Sequence, residues 1–149
     1  MKVALGCDHG GFVLKNAVIR AIADSKCEVL DLGTCSDESC DYPDFAYKVG
    51  SAIVSGEAEK GVLLCGTGIG ISIAANKIKG IRCAHVTDIF SAQMAAEHNN
   101  ANAIALGGRI TDAATAYEIV KTYLASAFAG GRHQKRVDKI TRIENGEAL

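Results

Sequence analysis

A thiol that ends an apolar run and leads straight into a glycine-rich turn is the arrangement in this chain best suited to chemistry. In "LLCGTGIGISIAANK" (63–77) the run closes on Cys65, and Gly66, Gly68 and Gly70 follow within five residues, with Thr67 and Ile69 between them. Strand, glycine loop and helix in that order let backbone N–H groups hold an anion. The same groups can stabilise an oxyanion that appears only during reaction. A cysteine just ahead of such a helix start is favoured as the thiolate, which serves as a nucleophile or as a proton-abstracting base. Alone, Cys65 reads better as a small buried hydrophobe, as Cys83 does in "IRCAHV". Beside three glycines and Thr67 the reactive reading is favoured.

Other candidates carry less weight singly. Asp8 and His9 stand in "GCDHGG" (6–11), where a carboxylate and an imidazole are not needed merely to turn the chain. His98, in "AAEHNNANAIALGGR", ends a helical stretch; the helix dipole favours a histidine there, and the following Asn99 and Asn100 are good helix stops, so pattern alone leaves its role open. Arg132 and Arg136 in "GGRHQKRV" are four apart and share one helix face. Two guanidiniums on one face can grip a phosphate, although basic helix faces are more often simply solvated.

The elements that must position these groups alternate along the whole chain. Strand-like runs fall at 2–7, 27–32, 61–65, 81–86 and 102–107, with helical spacing between them, as at Val13, Leu14, Ala17, Val18, Ala21 and Ile22. The third and fifth runs are apolar without alternation, as in strands covered on both faces. Pro43, the only proline, suits the first turn of a second helix. The expected fold is therefore α/β: one Rossmann-like three-layer α/β/α domain over 1–149, with a five-stranded parallel sheet in the order 2-1-3-4-5 and an extra C-terminal helix. In such sheets ligands bind beyond the carboxyl ends of the strands at the switch point, here between strands 1 and 3. "GCDHGG" and "CGTGIG" would then face each other.

Composition excludes several classes. With 149 residues, 48% hydrophobic and 22% charged, the chain has the make-up of one globular domain. A net charge of −1 gives no reason to expect nucleic acid, and no apolar run approaches the roughly 20 residues of a membrane span. The N-terminal "MKVALGCDHGG" is too short in its apolar part for a signal peptide and reads as a first strand. Six cysteines without C-x-x-C or zinc-type spacing fit reduced thiols in the cytoplasm, though Cys35 and Cys40 share a loop and could pair on oxidation. Neither glycine loop has dinucleotide or Walker A spacing. A phosphoacceptor module would want aspartate at the third strand tip and lysine at the fifth, where Cys65 and Gly107 stand, and a flavin carrier would want more aromatic rings than four Phe and four Tyr without Trp.

Taken together, "GCDHGGF", "DYP" (41–43), "CGTGIGISIAANK", "HNNAN" (98–102) and "GGRHQKRV" resemble the type B ribose-5-phosphate isomerases and the wider family that includes galactose-6-phosphate isomerase, in order and over essentially the whole chain. The resemblance implies aldose–ketose isomerisation of a sugar phosphate, ribose 5-phosphate to ribulose 5-phosphate, through an enediolate and with no metal or other cofactor. It implies that His98 assists ring opening while Asp8 contacts the ring hydroxyls. Cys65 would move the proton between C2 and C1, Thr67 would handle hydroxyl protons, and the amides of Gly66, Thr67, Gly68, Ile69 and Gly70 would hold the enediolate oxygen. His9, Arg109, Arg132 and Arg136 would bind phosphate, with Tyr42 and Asn99 lining the sugar site. It further implies a homodimer, or a dimer of dimers, whose site takes His98 and Asn99 from the neighbouring chain. Relatives whose base is a glutamate further into the loop differ here, since position 71 is Ile. A six-carbon sugar phosphate as substrate, or a non-catalytic sugar-phosphate sensor, are the alternatives.

Overall fold

The computed structural model describes all residues from Met1 to Leu149. Five strands, β1 (Lys2–Cys7), β2 (Glu28–Asp31), β3 (Lys60–Cys65), β4 (Cys83–His85) and β5 (Ala103–Gly107), alternate with α1 (Lys15–Asp24), α2 (Tyr42–Val54), α3 (Ile69–Ala75), α4 (Ile89–Glu97) and α5 (Ala113–Ala125); α6 (Arg132–Glu144) follows the last unit. Every strand pairing is parallel. The helices start where their sequence permits: Pro43 lies in the first turn of α2, and Asp88 and Asp112 cap α4 and α5 by accepting the N–H groups of Ser91 and Thr115 at 2.7 and 2.9 Å. Asn100, in the left-handed region at φ 47°, turns the chain beyond α4.

The sheet order is β2-β1-β3-β5-β4, which corrects the expected 2-1-3-4-5. All five residues of β5 are buried, whereas β4 has only three and ends on the exposed His85. A continuously apolar strand needs neighbours on both edges and cover on both faces, and a short strand with a polar end tolerates the rim. That burial requirement overrides the tendency of sequential strands to lie side by side. The switch point between β1 and β3 survives the exchange, and β5 with its tip at Gly107–Arg109 moves next to β3.

The period-2 alternation of the central strands divides the core. Val3, Leu5, Cys7, Val62, Leu64, Ile104 and Leu106 face α1, α4 and α5. Each fully buried leucine or isoleucine there contributes about 2 kcal/mol by leaving water. The opposite face is built of smaller residues, Ala4, Leu63, Cys65, Ala103 and Ala105, against α2 and α3. A Cβ on Gly6 or Gly61 would come within 2.8 or 2.7 Å of Val49, so glycine at both positions lets α2 sit close on the sheet.

Candidate active site

The tips of β1, β3 and β5 meet backbone to backbone. Gly108 and Arg109 donate to the carbonyls of Cys65 and Gly66 at 2.8 and 2.9 Å, and Asp8 N–H donates to Leu64 at 3.1 Å. A Cβ on Gly10 would lie 2.8 Å from Gly66 N, on Gly107 2.5 Å from the Thr67 carbonyl carbon, and on Gly108 2.3 Å from the Gly10 oxygen. No side chain fits at these contacts, which explains why the loops are glycine-rich beyond what turning requires.

Within this cluster Cys65 is 4% exposed, and its Sγ accepts the Gly68 N–H at 3.1 Å. Gly68 has φ 79°, a left-handed conformation that opens α3 and aims that N–H back at the sulfur. Thr67 Oγ1 accepts from Ile69 N–H at 3.3 Å, while the N–H groups of Gly66, Thr67 and Gly70 have no acceptor within the chain. Unpaired donors in the loop that follows a sulfur accepting an N–H can receive a developing oxyanion. Burial pushes Cys83 up to about 12 and Cys7 up to about 11, with Lys15 pulling the latter back in part; both are neutral thiols at physiological pH.

Around the sulfur stand the other groups of the carboxyl edge. Asp8 is buried and accepts from Gly11 N–H at 3.0 Å. His9 Nδ1 lies 3.2 Å from both the backbone N and O of Cys40, leaving Nε2 without a partner in the chain. The ring of Tyr42 lies over Gly70, where a Cβ would come 2.7 Å from Cζ, and the Arg109 guanidinium lies over Gly66 at 2.9 Å from the same construction. The structure thus brings together Asp8, His9, Tyr42, Cys65, Gly66, Thr67, Gly68, Ile69, Gly70 and Arg109.

It does not bring His98, Asn99, Arg132 and Arg136 to them. A helix between parallel strands returns to the strand starts, so His98, the last cap of α4, and Asn99 lie at the amino edge of the sheet. Ala129 N–H donates to the Glu97 carbonyl at 2.9 Å, seating the start of α6 beside them. There His98 stacks on His133, with centroids 4.1 Å apart and planes 10° from parallel. Burial, then His98, Arg132 and Arg136, hold His133 below the ordinary imidazole value. His133 and Val137 bury one face of α6, and Arg132 and Arg136 stand exposed beside it without any ion pair. A groove of about 620 Å³ at this edge is lined by Asn99, Arg82, Cys83, Ile140, Ile143 and Glu144 and contains none of the carboxyl-edge groups. No three His, Cys, Asp or Glu side chains converge as metal ligands.

Sequence reading overlooked several supporting residues. Lys15, 7% exposed, pairs with Asp31 at 2.8 Å and donates to the Thr34 carbonyl at 2.7 Å, fixing the loop that carries Cys40 to Tyr42. Arg82 donates twice to the Asn100 carbonyl, at 3.0 and 2.8 Å, and holds the turn after His98. His85 Nε2 is 2.9 Å from the Thr67 oxygen. A polar residue next to last in "IRCAHV" was the one visible signal for His85; nothing in the spacing pointed to the first two.

Many known proteins are similar to this chain. The model of the ribose/galactose isomerase family matches residues 3–140. The chain is 46% identical over 143 residues to ribose-5-phosphate isomerase B of Escherichia coli (strain K12), with 96% of each chain covered. It is similar to the solved structure of Clostridium thermocellum ribose-5-phosphate isomerase B, at 49% identity and a TM-score of 0.95, over 98% of this chain and 99% of that one. The Mycoplasma genitalium ribose-5-phosphate isomerase B, solved with bound ribulose-5-phosphate, matches at 38% identity and a TM-score of 0.90, over 97% and 96%.

Proposed function

This chain belongs to the ribose/galactose isomerase family, and from that premise we propose that it interconverts D-ribose 5-phosphate and D-ribulose 5-phosphate in a site completed by a second copy of the chain. The observation that carries the reading is the Cys65 sulfur, held by the Gly68 N–H at 3.1 Å and bordered by the unpaired N–H groups of Gly66, Thr67 and Gly70. His98 assists opening of the furanose. Cys65, as thiolate, takes the proton from C2; the electron pair moves into a C1–C2 enediolate whose oxygen is held by the loop amides. Thr67 passes the hydroxyl proton, and Cys65 returns its proton to C1 to give the ketose. No metal takes part. Asp8, Tyr42 and Asn99 hold the sugar, and His9, Arg109, Arg132 and Arg136 hold the phosphate.

Two features support the second copy. The groups above lie at opposite edges of one sheet, so a single chain cannot apply them to one small substrate. Val13, Ile69, Ile73, Ile89, Phe90 and Ile110, on the elements around the carboxyl edge, are 46–69% exposed, an apolar rim that a homodimer would cover. Six free thiols suit the reducing cytoplasm, and no helix is long and apolar enough to cross a membrane.

The test is conversion of ribose 5-phosphate in the presence of chelator, for wild type and Cys65→Ala. Wild-type turnover, lost by about a thousandfold in the variant while substrate still binds, is the expected result. Turnover of allose 6-phosphate or galactose 6-phosphate alone would change the substrate and keep the chemistry. Tight binding without turnover of any sugar phosphate would make the chain a sensor.

A further inference from the structure

The carbonyl of Thr67 and the N–H of Gly68 belong to one planar trans peptide, so they point in opposite directions. The N–H end donates to Cys65 Sγ at 3.1 Å. The C=O end lies 2.9 Å from His85 Nε2 and has no backbone donor. His85 is the last residue of the edge strand β4, in register with Ala105 of β5. Its ring lies against Gly68, where a Cβ would come 2.8 Å from Cδ2 and 3.0 Å from Nε2. Glycine at 68 therefore serves both the left-handed turn and the seat of the imidazole.

The geometry points to His85 as a positioning residue for Cys65, acting through this single peptide; the inference rests on the function proposed above. A ring N–H donated to the Thr67 carbonyl fixes the rotation of the peptide plane and keeps the Gly68 N–H on the sulfur. Hydrogen bonding at one end of an amide also polarises the other, so the N–H becomes a better donor to a thiolate. A donor to the charged form favours that form. His85 thus raises the thiolate fraction without touching substrate. The correction to the strand order matters here, because β4 at the rim leaves His85 free to reach across the tip of β5 to the glycine loop.

The variants are His85→Phe and His85→Leu, which lack the donor, and His85→Gln, which keeps one. Site-resolved alkylation of Cys65 by iodoacetamide is followed by mass spectrometry across the thiol range, with the exposed Cys35 as internal reference. In the donor-less variants the Cys65 midpoint is expected to rise by about half to one pH unit while that of Cys35 stays put. The same variants should lose about tenfold in kcat with KM unchanged, and His85→Gln should recover both readouts. An unshifted Cys65 midpoint in either folded donor-less variant, or a glutamine variant as impaired as the phenylalanine one, would overturn the assignment. Because alkylation needs no substrate, it tests His85 even if the wild type isomerises nothing, an outcome that would sink the proposed function alone.

Discussion

The two edges of the sheet present chemistry in different materials. At the carboxyl edge it is mostly backbone: strand tips in van der Waals contact, glycines where any Cβ would collide, and a sulfur held by an amide. At the amino edge it is mostly long side chains, two unpaired guanidiniums and a stacked histidine pair at the junction of two helices. Stabilising a small, transient oxyanion demands donors fixed to fractions of an ångström, which only a rigid backbone supplies. Holding a phosphate demands charge and reach, which exposed arginines supply from a helix face. Under the proposed function two copies of the chain divide the task, each lending its rigid edge to one site and its cationic edge to another.

Mixing inactive chains is the strongest way to break that comparison. Cys65→Ala and His98→Ala should each be inactive alone, yet co-expressed chains should recover about a quarter of wild-type specific activity, since half of randomly paired dimers are mixed and each of those holds one intact site. No recovery, with dimers verified by analytical ultracentrifugation, would place both edges in one chain's service. Next in size is Arg132→Ala with Arg136→Ala, expected to raise KM for the sugar phosphate by about one to two orders of magnitude with a smaller change in kcat. The measurement is steady-state kinetics, with inorganic phosphate inhibition weakened in parallel.

Gly68→Ala probes the rigid edge. Its φ of 79° and the contacts at 2.8 Å with His85 and the Leu106 backbone leave no room for a methyl group. A loss of about 2 kcal/mol or more in denaturant unfolding is expected, together with lost turnover. Unchanged stability would mean that the loop is softer than its contacts imply.

The smallest expected effect concerns pH at the cationic edge. His133 is held below the ordinary imidazole value of 6.5, first by burial and then by His98, Arg132 and Arg136. The folded chain thus binds that proton more weakly than the unfolded one, so its contribution is present above 6.5 and is lost as pH falls through the lower folded value. Thermal melting of wild type should drop more on acidification from about pH 7.5 to about 5 than that of His133→Phe, which keeps a ring in the stack and cannot titrate. Equal drops would remove His133 from this role.

Local pattern carried much of this. The apolar runs of β3 and β5, the proline in the first turn of α2 and the asparagines after His98 were readable because each reflects a short-range preference, for burial on two faces, for a fixed φ or for a left-handed turn. Cys65 with its glycines was readable as a motif for the same reason. Lys15 with Asp31, Arg82 with Asn100, and His85 with Thr67 were not, because each joins residues 16 to 18 positions apart whose meeting depends on how strands are ordered and helices seated.

The sequence by itself determined the parallel α/β class, the motif that sets a thiol ahead of a glycine loop, and the family, since these rest on residue types and spacings that few folds tolerate. Tertiary structure alone decided that β5 lies inside β4, because burial is a property of the assembled sheet and not of any one strand. It alone separated His98 and the arginines from Cys65, because the direction in which each helix returns, and not the order of motifs along the chain, fixes the edge at which a side chain stands.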